Sequence, residues 1–333
     1  MTLKVAINGF GRIGRCAARL MVENFGDQME LVALNASGGP DVQAHLLKYD
    51  SVHGRFGVSV GADGDNLKIG NQVVRLSGER DPAKLDWDGI DLVLECTGAF
   101  NTKEAAQAHI ARGAKRVLCS APAKNADKTV VYGVNHEVIT ADDLVVSAAS
   151  CTTNCLAPVA KVMHDSFGIE KGFMTTIHAY TGDQPTLDRR HKDPYRGRAA
   201  AMSMIPTTTG AAKAVGLVLP ALNGRLDGAA IRVPTPNVSC VDLTFTPSRK
   251  TSVDEVNEAA RAAAFGAMAG VLDYDTDPTV SVDYNHSTAA STFAAPQTRV
   301  MDGDLVRVLA WYDNEWGFTN QMLKAALVVG GTI

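Results

Sequence analysis

The stretch Leu3–Arg15, which reads LKVAINGFGRIGR, decides the fold. It begins with a short apolar run, Lys4–Ile7, that predicts a β-strand, and a helical pattern extends through Arg19–Asn24. Between strand and helix the glycines have the spacing G-x-G-x-x-G, at Gly9, Gly11 and Gly14. Such a turn lets the backbone approach a pyrophosphate, and the helix N-terminus attracts its charge. The stretch therefore predicts a dinucleotide-binding unit; the alternative is a turn that uses glycine only for geometry.

The residues after the second predicted strand bear on which dinucleotide binds. An acidic residue about 20 positions beyond the glycines commonly holds the adenosine ribose. Here the strand Glu30–Leu34 is followed by Asn35, Ala36 and Ser37, with no acid before Asp41. Without an acid a ribose 2′-phosphate is not repelled, and small residues leave room for it. We expect NADP to be accepted; the alternative is that Asn35 or Ser37 bonds the ribose of NAD.

Strand candidates and helical patterns alternate through the first half of the chain. Further strands are predicted at Asp91–Leu94, Val117–Cys119, Val130–Val134 and Leu144–Ser147. A helix is predicted after Asn101, whose side chain would cap it, and Gly113 suits its C-terminal end. Residues 57–78 contain short strands and glycine turns, which predict an antiparallel excursion. The alternation predicts an α/β fold with a doubly wound, mostly parallel sheet.

The second half predicts an α+β domain with a mixed or antiparallel sheet. Its predicted helices are 151–164, 210–219, 252–268 and 317–328, and its predicted strands are 173–179, 230–233, 238–246, 280–284 and 305–312. Residues 181–203 are polar and predict a long loop. A loop of that length in a compact domain is usually functional.

Composition excludes several classes of protein. The chain has 333 residues, which suits roughly two domains. Its 32 Lys and Arg residues against 36 Asp and Glu give a net charge of −4, which argues against nucleic-acid binding and polybasic membrane binding. No run of about 18 apolar residues predicts a membrane span, and no signal segment precedes the first strand. The six cysteines are few and unevenly spaced, so we expect reduced thiols, a cytoplasmic protein and no metal centre.

Cys151 directly follows a predicted strand and opens a helix in the stretch SCTTNC. A thiol at a helix N-terminus is expected to have a lowered pKa because the helix dipole favours the thiolate. The alternative for a free cysteine is a small buried apolar residue, which suits Cys16, Cys96, Cys119 and Cys240. His178, at the carboxyl end of strand 173–179, is the candidate base; the alternative is a histidine that satisfies a loop carbonyl.

Cationic side chains concentrate in the long loop and in one later strand. The loop carries Arg189, Arg190, Lys192, Arg196 and Arg198 together with three aspartates. Arginine geometry favours phosphate recognition, and the alternative is a solvated charged loop. The stretch 207–210, TTTG, precedes a helix and predicts a second anion site. Arg232 lies between apolar residues of a strand, where a charge needs a partner or a ligand.

Several blocks together carry a resemblance to a known family. They are NGFGRIGR (8–15), HLLKYDSVHG (45–54), SCTTNCLAPVAKV (150–162), TTIHAYTGDQ (175–184), IPTTTGAAKAVG (205–216), RVPTPNVS (232–239) and WYDNEWGF (311–318). Over essentially its whole length the chain resembles the phosphorylating glyceraldehyde-3-phosphate dehydrogenases. The resemblance implies a Rossmann-type dinucleotide-binding domain, residues 1–150, on which the C-terminal helix, residues 317–333, packs back. It also implies a catalytic domain, residues 151–316, and a homotetramer in which the long loop lies against a neighbour's cofactor site.

The resemblance also implies a reversible reaction of glycolysis, gluconeogenesis or the Calvin cycle. Cys151 would attack glyceraldehyde 3-phosphate to form a hemithioacetal, with His178 as base. Oxidation by NAD or NADP would leave a thioester, which inorganic phosphate would convert to 1,3-bisphosphoglycerate. The substrate phosphate would bind Thr181, Arg196 and Arg232, and inorganic phosphate would bind Ser150, Thr152, Thr209 and Gly210. The cofactor would contact Gly9, Gly11, Arg12, Ile13, Gly14, Asn35, Ala36, Ser37, Arg80, Thr97, Gly98, Ser120 and Asn314.

Two departures from the family pattern concern the cofactor. NAD-specific members carry Asp at the position of Ala36, and they commonly carry Leu-Pro at the positions of Arg189 and Arg190. One change removes an anion near the ribose, and the other adds two guanidinium groups that would reach a neighbour's cofactor. Both changes favour NADP.

Two rival functions remain open. Erythrose-4-phosphate dehydrogenase uses the same thiol chemistry, and a comparison of the two aldehydes would decide between them. A redox-sensing or binding protein would keep the fold without catalysis, and its Cys151 thiol would be readily oxidised.

Overall fold

The computed structural model describes residues 2–333, and these divide into two compact units. The first unit contains residues 2–130, His136–Ala149 and Met322–Ile333, and the second contains Val131–Asn135 and Ser150–Gln321. The functional division into a cofactor domain and a catalytic domain stays a prediction. No helix of the described residues is both long and apolar enough to cross a membrane.

The first unit is built from short strands and three helices within the described residues. In chain order they are β1 (Leu3–Asn8), α1 (Arg12–Asn24), β2 (Met29–Asn35), α2 (Pro40–Lys48), β3 (Tyr49–Asp50), β4 (Gly54–Arg55), β5 (Val60–Asp63), β6 (Asn66–Ile69), β7 (Gln72–Ser77), β8 (Leu92–Glu95), α3 (Lys103–Ile110), β9 (Arg116–Cys119), β10 (Lys128–Thr129) and β11 (Val145–Ser147).

β1 lies at the centre of the sheet of the first unit. Among residues 2–333 the strand order is β10-β11-β9-β8-β1-β2-β7-β6-β5, and the pairs from β10 through β7 are parallel. The strands β1 and β8 are apolar and buried on both faces, as parallel strands covered by helices are. From β1 the chain continues to β2 on one side of β1, and β8 later pairs with the other side of β1. The strand order therefore reverses at β1. Ligands bind at such a reversal, outside the carboxyl ends of the strands.

The antiparallel excursion at residues 57–78 is confirmed. β5 pairs with β6 and β6 with β7 in antiparallel fashion, and β7 then joins β2 in parallel. Gly64 and Gly70 occupy the turns with φ of +59° and +58°, which glycine adopts without strain.

Two sequence predictions in the first half are wrong. The segment Val130–Val134 is not a strand, because Gly133 adopts φ +79° and the amide of Val131 bonds the Asn135 side chain in a turn. β10 ends at Thr129, one residue before this segment. The cap of α3 is Thr102 rather than Asn101: the Thr102 hydroxyl accepts from the backbone N–H of Ala105. Asn101 instead donates its amide to the Gly98 carbonyl.

The second unit combines a mixed sheet with helices. Its elements are α4 (Cys151–Phe167), β12 (Ile169–Ala179), β13 (Ile205–Thr208), α5 (Ala211–Val218), β14 (Leu226–Val233), β15 (Ser239–Pro247), α6 (Val253–Ala264), β16 (Leu272–Asp275), β17 (Ser291–Ala294), β18 (Arg299–Met301), β19 (Leu305–Tyr312) and α7 (Trp316–Gly330). The strand order over residues 2–333 is β13-β14-β12-β15-β19-β17-β16, with β18 paired to β19. Residues up to Gln321 of α7 belong to this unit, and the rest of α7 belongs to the first.

α4 packs on the sheet of the second unit and is almost wholly buried along its apolar side chains. The predicted long loop at residues 181–203 is confirmed, since no helix or strand occurs there. The predicted strand at residues 280–284 is wrong. Ser281–Tyr284 forms one 3₁₀ turn, because the Asp283 carboxylate accepts from the backbone N–H of Val280 and curls the segment.

We expect Gly14→Ala to destabilise the protein. A Cβ at Gly14 would lie 2.2 Å from the carbonyl oxygen of Gly9, so α1 would have to move away from the end of β1. The expected loss in the free energy of unfolding is about 1–3 kcal/mol, measured by urea titration. Gly11→Ala is the matched control, because a Cβ there meets nothing within 4 Å. Equal stability of the two variants would contradict the close contact of α1 with the Gly9 turn.

Candidate active site

A cavity of about 530 Å³ opens outside the carboxyl ends of β1, β2 and β8 in the first unit. Its volume lies in the range of small-molecule sites, about 300–1,000 Å³. Of the residues predicted to bind the cofactor, its wall contains Gly9, Gly11, Asn35, Ala36, Ser37, Arg80 and Thr97. Arg12, Ile13, Gly14, Gly98 and Ser120 lie outside this wall in the described residues. The cavity is where the strand order predicts a ligand.

The glycine turn fits a dinucleotide pyrophosphate. Gly11 caps α1 without any side chain, and a Cβ added there would enter open space. The first N–H groups of a helix have no partner within the helix, and the helix dipole favours an anion before them. Gly9 adopts φ +96°, and a Cβ there would lie 2.7 Å from the backbone nitrogen of Thr97. Gly9 therefore fits only as glycine, and the turn leaves the N-terminus of α1 uncovered.

The Arg12 side chain is engaged within the protein. Its guanidinium forms a two-pronged ion pair with Asp50, a carboxylate that also accepts from the backbone N–H groups of Val52 and His53. Burial alone would raise the pKa of Asp50, but these hydrogen bonds hold it well below its usual range. The sequence could not assign this pair. Any contact of Arg12 with a pyrophosphate would therefore come most directly from its backbone N–H.

Asn35 has no hydrogen-bonding capacity left for a ribose. Its Nδ2 donates to Asn8 Oδ1 and to the Glu79 carbonyl, both at 2.7 Å. Its Oδ1 accepts from Ser77 Oγ at 3.0 Å and from the Glu79 backbone N–H at 2.9 Å. An amide offers two donor and two acceptor positions, so all four are used. Of the two side chains that the sequence offers for a ribose, Asn35 and Ser37, it is Ser37 that keeps the capacity to bond one.

Sequence reasoning missed Glu79, which lies in the cavity wall beside Arg80. The cavity therefore contains one acid, although β2 supplies none. Glu79 Oε1 accepts from the backbone N–H of Asp81 at 2.9 Å. Arg80 is exposed and has no hydrogen-bond or ion-pair partner among the described residues. The only feature of the sequence that points to Glu79 is its position directly before Arg80, which is a predicted cofactor contact.

In the second unit Cys151 and His178 lie together. Cys151 is the first residue of α4, His178 is next to the end of β12, and Cys151 Sγ lies 3.5 Å from His178 Nε2. His178 Nδ1 lies 2.6 Å from the carbonyl oxygen of Ala179, which can only accept. The Nδ1 atom therefore carries the proton, and Nε2 presents a lone pair to the thiol. The geometry provides a base oriented towards a thiol.

The protonation states differ from the expectation of a lowered thiol pKa. Burial raises the pKa of the Cys151 thiol, and this outweighs the opposing effect of the Arg232 charge and of hydrogen bonds from Thr152. Burial and the charge of Arg232 lower the pKa of His178 to about 3. Without ligands the pair is thus a neutral thiol and a neutral imidazole at pH 7, and both shifts disfavour transfer of the proton from Sγ to Nε2.

Arg232 lies beside this pair with little to neutralise it. Its Nη1 donates to the Ala179 carbonyl and to Thr181 Oγ1, both at 3.2 Å, and its buried Nε has no partner among the described residues. Burial and the nearby charge of Arg196 lower the pKa of Arg232. Two guanidinium groups at close range attract an anion. Arg196, by contrast, is already paired with Asp183 and Asp193.

The residues of the predicted second anion site have roles within the fold. Ser150 Oγ accepts from the backbone N–H of Thr153 and caps α4. Thr152 is buried, and its hydroxyl lies 2.9 Å from Tyr312 OH. Thr209 Oγ1 accepts from the N–H of Ala211, and Gly210 caps α5 without a side chain. The two helix N-termini remain candidates for binding phosphate.

Sequence reasoning also missed Tyr312 and Ser239. The Tyr312 hydroxyl joins Thr152 to Thr176, and its ring meets the His178 ring edge-on at 5.9 Å. Ser239 Oγ donates to Asn314 Oδ1 at 2.7 Å and accepts from the Ala179 N–H. Asn314 is thus held near the end of β12, with Nδ2 unbonded among the described residues. No spacing in the sequence relates these residues to His178.

The side chains of Arg189 and Arg190 are exposed on the loop and have no hydrogen-bond or ion-pair partner among the described residues, although the Arg189 backbone N–H donates to the Gly197 carbonyl. Their neighbour Arg198 is paired with Asp188 at 2.7 Å. The two predicted phosphate contacts in the cofactor site are therefore available cations, and nothing in the fold of a single chain uses them.

Fold and site define a two-unit α/β protein with a mostly parallel sheet that ends in a cavity, a cysteine–histidine pair and a buried arginine nitrogen without a partner among the described residues. Residues 3–103 match the model of the glyceraldehyde 3-phosphate dehydrogenase NAD binding domain, and residues 150–314 match that of its C-terminal domain. The chain is 61% identical to glyceraldehyde-3-phosphate dehydrogenase of Cereibacter sphaeroides and 60% identical to that of Xanthobacter flavus, over 99% of each chain. It is 52% identical to that of Geobacillus stearothermophilus, over 99% of this chain and 98% of the other. The chain belongs to the glyceraldehyde-3-phosphate dehydrogenase family of oxidoreductases.

We expect Arg232→Gln to slow alkylation of Cys151 by iodoacetamide in the ligand-free protein. The Arg232 charge lowers the pKa of Cys151, so its removal raises that pKa further and reduces the thiolate fraction. At pH 7 the expected decrease is roughly 3–10-fold. The pH profile of the rate should move to higher pH.

Arg198→Gln is the control for that experiment, because Arg198 is exposed on the loop at residues 181–203 and pairs with Asp188. It should leave the alkylation profile unchanged. An unchanged or faster rate in Arg232→Gln would mean that Arg232 does not act on the thiol.

Proposed function

We propose that the chain catalyses the reversible phosphorylating oxidation of glyceraldehyde 3-phosphate to 1,3-bisphosphoglycerate. The observation that carries the proposal is the contact of Cys151 Sγ with His178 Nε2 at 3.5 Å, beside the unneutralised Arg232. The relatives named above are glyceraldehyde-3-phosphate dehydrogenases, which supports glyceraldehyde 3-phosphate over erythrose 4-phosphate as substrate. The presence of both thiol and base supports an active enzyme over a sensor that only keeps the fold.

The first step is addition of the thiol to the aldehyde. His178 Nε2 accepts the proton of Cys151, and Sγ forms a bond to the carbonyl carbon. The carbonyl oxygen gains the electron pair of its π bond and then takes the proton from His178, giving a hemithioacetal. The fixed Nδ1–H of His178 bonds the Ala179 carbonyl throughout, so the ring keeps the orientation that this transfer needs.

The second step removes two electrons from the adduct. A bound nicotinamide would supply the oxidant, taking the C–H hydrogen with its electron pair. His178 Nε2 accepts the hydroxyl proton as the carbonyl re-forms, and a thioester on Cys151 results. The pKa of His178, about 3 in the ligand-free site, leaves Nε2 unprotonated but makes it a weak base. The charge of Arg232 contributes to this low pKa, so a substrate phosphate bound at Arg232 would raise the basicity of His178.

The third step is phosphorolysis of the thioester. An oxygen of inorganic phosphate forms a bond to the carbonyl carbon, the C–S bond breaks, and Cys151 leaves with the electron pair and regains a proton from His178.

Arg232 and Thr181 would hold the phosphate of the substrate, since the Arg232 Nε has no partner among the described residues. The N-termini of α4 and α5, with Ser150, Thr152, Thr209 and Gly210, would hold inorganic phosphate.

The first unit would bind the cofactor in its cavity, with the pyrophosphate at Gly9, Gly11 and the backbone of Arg12 and Ile13. We infer that NADP is accepted. Ala36 presents a methyl group where an acid would repel a 2′-phosphate, and Arg80 supplies an unpaired cation to the same wall. Glu79 opposes this preference, because a carboxylate repels phosphate. Arg189 and Arg190 would add two cations from a neighbouring subunit.

A homotetramer is part of the proposal. The long loop exposes three large apolar side chains, Leu187, Tyr195 and Met202, and Met204 directly after it is exposed as well, with exposed fractions of 61–81%. Exposed apolar groups in such number mark a surface that another subunit covers. This supports the loop as a contact between copies of the chain.

The first test is the initial rate of nicotinamide reduction with glyceraldehyde 3-phosphate, with and without inorganic phosphate. We expect a phosphate-dependent rate with the wild type and none above background with Cys151→Ser. Cys155→Ser is the matched control, because Cys155 lies one helical turn further along α4 and is fully buried. Retained activity in Cys151→Ser would refute the assigned nucleophile.

A second test concerns the choice of cofactor. Ala36→Asp places a carboxylate in the cavity wall, so kcat/KM with NADP should fall roughly tenfold or more relative to NAD. Ala62→Asp adds the same charge on the exposed strand β5 and should leave the ratio unchanged. A ratio that Ala36→Asp does not alter would show that this wall does not meet the 2′-phosphate.

A further inference from the structure

A buried carboxylate that the proposed reaction does not use lies behind the cavity of the first unit. Glu95 ends β8 and is 1% exposed. Its Oε2 accepts from Asn8 Nδ2 at 2.6 Å and faces His109 Nε2 at 3.0 Å. Its Oε1 accepts from the backbone N–H of Thr97 at 2.8 Å and from the Thr97 hydroxyl. Four donors therefore converge on one carboxylate.

Glu95 cannot itself bind a ligand. A carboxylate has about four acceptor positions, and the protein fills all of them. A buried charge is tolerated only when it is hydrogen-bonded to this extent. Glu95 can therefore affect ligand binding only through the groups that donate hydrogen bonds to it.

His109 holds Glu95 from behind. It is fully buried, and its Nδ1 accepts from Trp87 Nε1 at 3.0 Å. An indole N–H only donates, so Nδ1 carries no proton and Nε2 is the protonated nitrogen that donates to Glu95. Trp87 is itself 1% exposed. The orientation of the His109 ring is thus fixed from both sides.

The other two partners of Glu95 lie in the cavity wall. Asn8 ends β1, which lies between β2 and β8 in the sheet, and its Oδ1 accepts a hydrogen bond from Asn35 Nδ2. Thr97 Oγ1 also accepts from the backbone N–H of Ala99 at 3.0 Å, and Ala99 lies in the wall as well. Glu95 thereby fixes the loop that follows β8.

We propose that Glu95 is a positioning residue for dinucleotide binding, which holds Thr97 and Asn8 in the shape of the loaded cavity before a ligand enters. This inference rests on the proposed cofactor function. β1 and β2 form the half of such folds that takes the adenosine, and β8 lies on the other side of β1. Since two of the four donors belong to Thr97, loss of Glu95 should affect the nicotinamide half more than the adenosine half.

The test is calorimetric titration of the ligand-free protein with NAD, NADP and ADP, without turnover. Glu95→Gln replaces one carboxylate oxygen by an NH₂ group, which cannot accept a hydrogen bond. Whichever oxygen is replaced, the two groups that donate to it lose their acceptor. We expect the Kd for the dinucleotide bound by the wild type to rise roughly tenfold, and the Kd for ADP to change less than about threefold. Hydrogen exchange at residues 97–100 should accelerate in the same variant.

A double-mutant cycle separates positioning from general destabilisation. If Glu95 acts through Thr97, Glu95→Gln should change the Kd less than about threefold in a Thr97→Val background. Glu30→Gln, the same substitution on an exposed residue of β2, should leave every Kd unchanged. If Glu95→Gln does not fold, two variants of His109 test the inference instead. His109→Leu removes one donor to Glu95 and should weaken dinucleotide binding. His109→Gln keeps an Nε donor and should restore that binding.

Three results would overturn the inference: an unchanged Kd in folded Glu95→Gln, equal weakening of dinucleotide and ADP, or effects of Glu95→Gln and Thr97→Val that simply multiply. Equal weakening by His109→Leu and His109→Gln would overturn it as well. Failure of the wild type to bind either dinucleotide would instead refute the proposed cofactor function, so the two failures are distinguishable.

Discussion

The candidate active site depends on one carbonyl group, that of Ala179. It accepts from His178 Nδ1 at 2.6 Å and from Arg232 Nη1 at 3.2 Å, while the N–H of the same residue donates to Ser239. The first bond decides the tautomer of His178 and so gives Cys151 a lone pair rather than a competing donor. The second holds the guanidinium beside the thiol. A backbone group at the end of β12 thus orients the base and the anion-binding cation together, and no side-chain substitution can remove it.

A comparable constraint acts in the first unit, where polar side chains end adjacent parallel strands. Glu95, Asn8, Asn35 and Ser77 terminate β8, β1, β2 and β7, and each bonds the next across the sheet. Buried polar groups are costly unless they are bonded, so this row is stable only when every member is present. The row occupies the hydrogen-bonding capacity of Asn35 and Glu95 completely. Ligand contacts are left to the backbone turns, the helix terminus and the exposed side chains beyond the row.

Much of the fold follows from local sequence. The apolar runs of β1 and β8 and the glycine spacing before α1 are short-range signals, and the structure confirms the elements that they predict. In each wrong prediction a local turn-forming residue outweighs the strand-like composition of the segment. Val130–Val134 has the composition of a strand, but Gly133 and the Asn135 side chain favour a turn. Val280 and Val282 also suggest a strand, yet both are exposed, and Asp283 curls the segment.

The site was harder to predict because its chemistry depends on distances between remote residues. Position in the sequence identified Cys151, but the pKa of its thiol depends on burial, which only the packing of α4 reveals. Glu79 reaches the cavity through β7, which joins β2 from far along the chain. Spacing alone could not show that Arg12 is paired with Asp50 or that Arg80 is unpaired.

The distribution of charge in the second unit distinguishes the two arginines of the predicted phosphate site. Arg196 donates to Thr207 and is paired with Asp183 and Asp193, so its charge is largely neutralised within the fold. Arg232 bonds only neutral oxygens, and its buried Nε bonds nothing among the described residues. A buried cation in that state is stabilised by an incoming anion more than a paired one is. Binding of a phosphorylated aldehyde would therefore bring a negative charge to Arg232 and offset the cost of its burial. It would also weaken the effect of Arg232 on the neighbouring thiol and imidazole, so anion binding at this guanidinium would change the pKa of both Cys151 and His178.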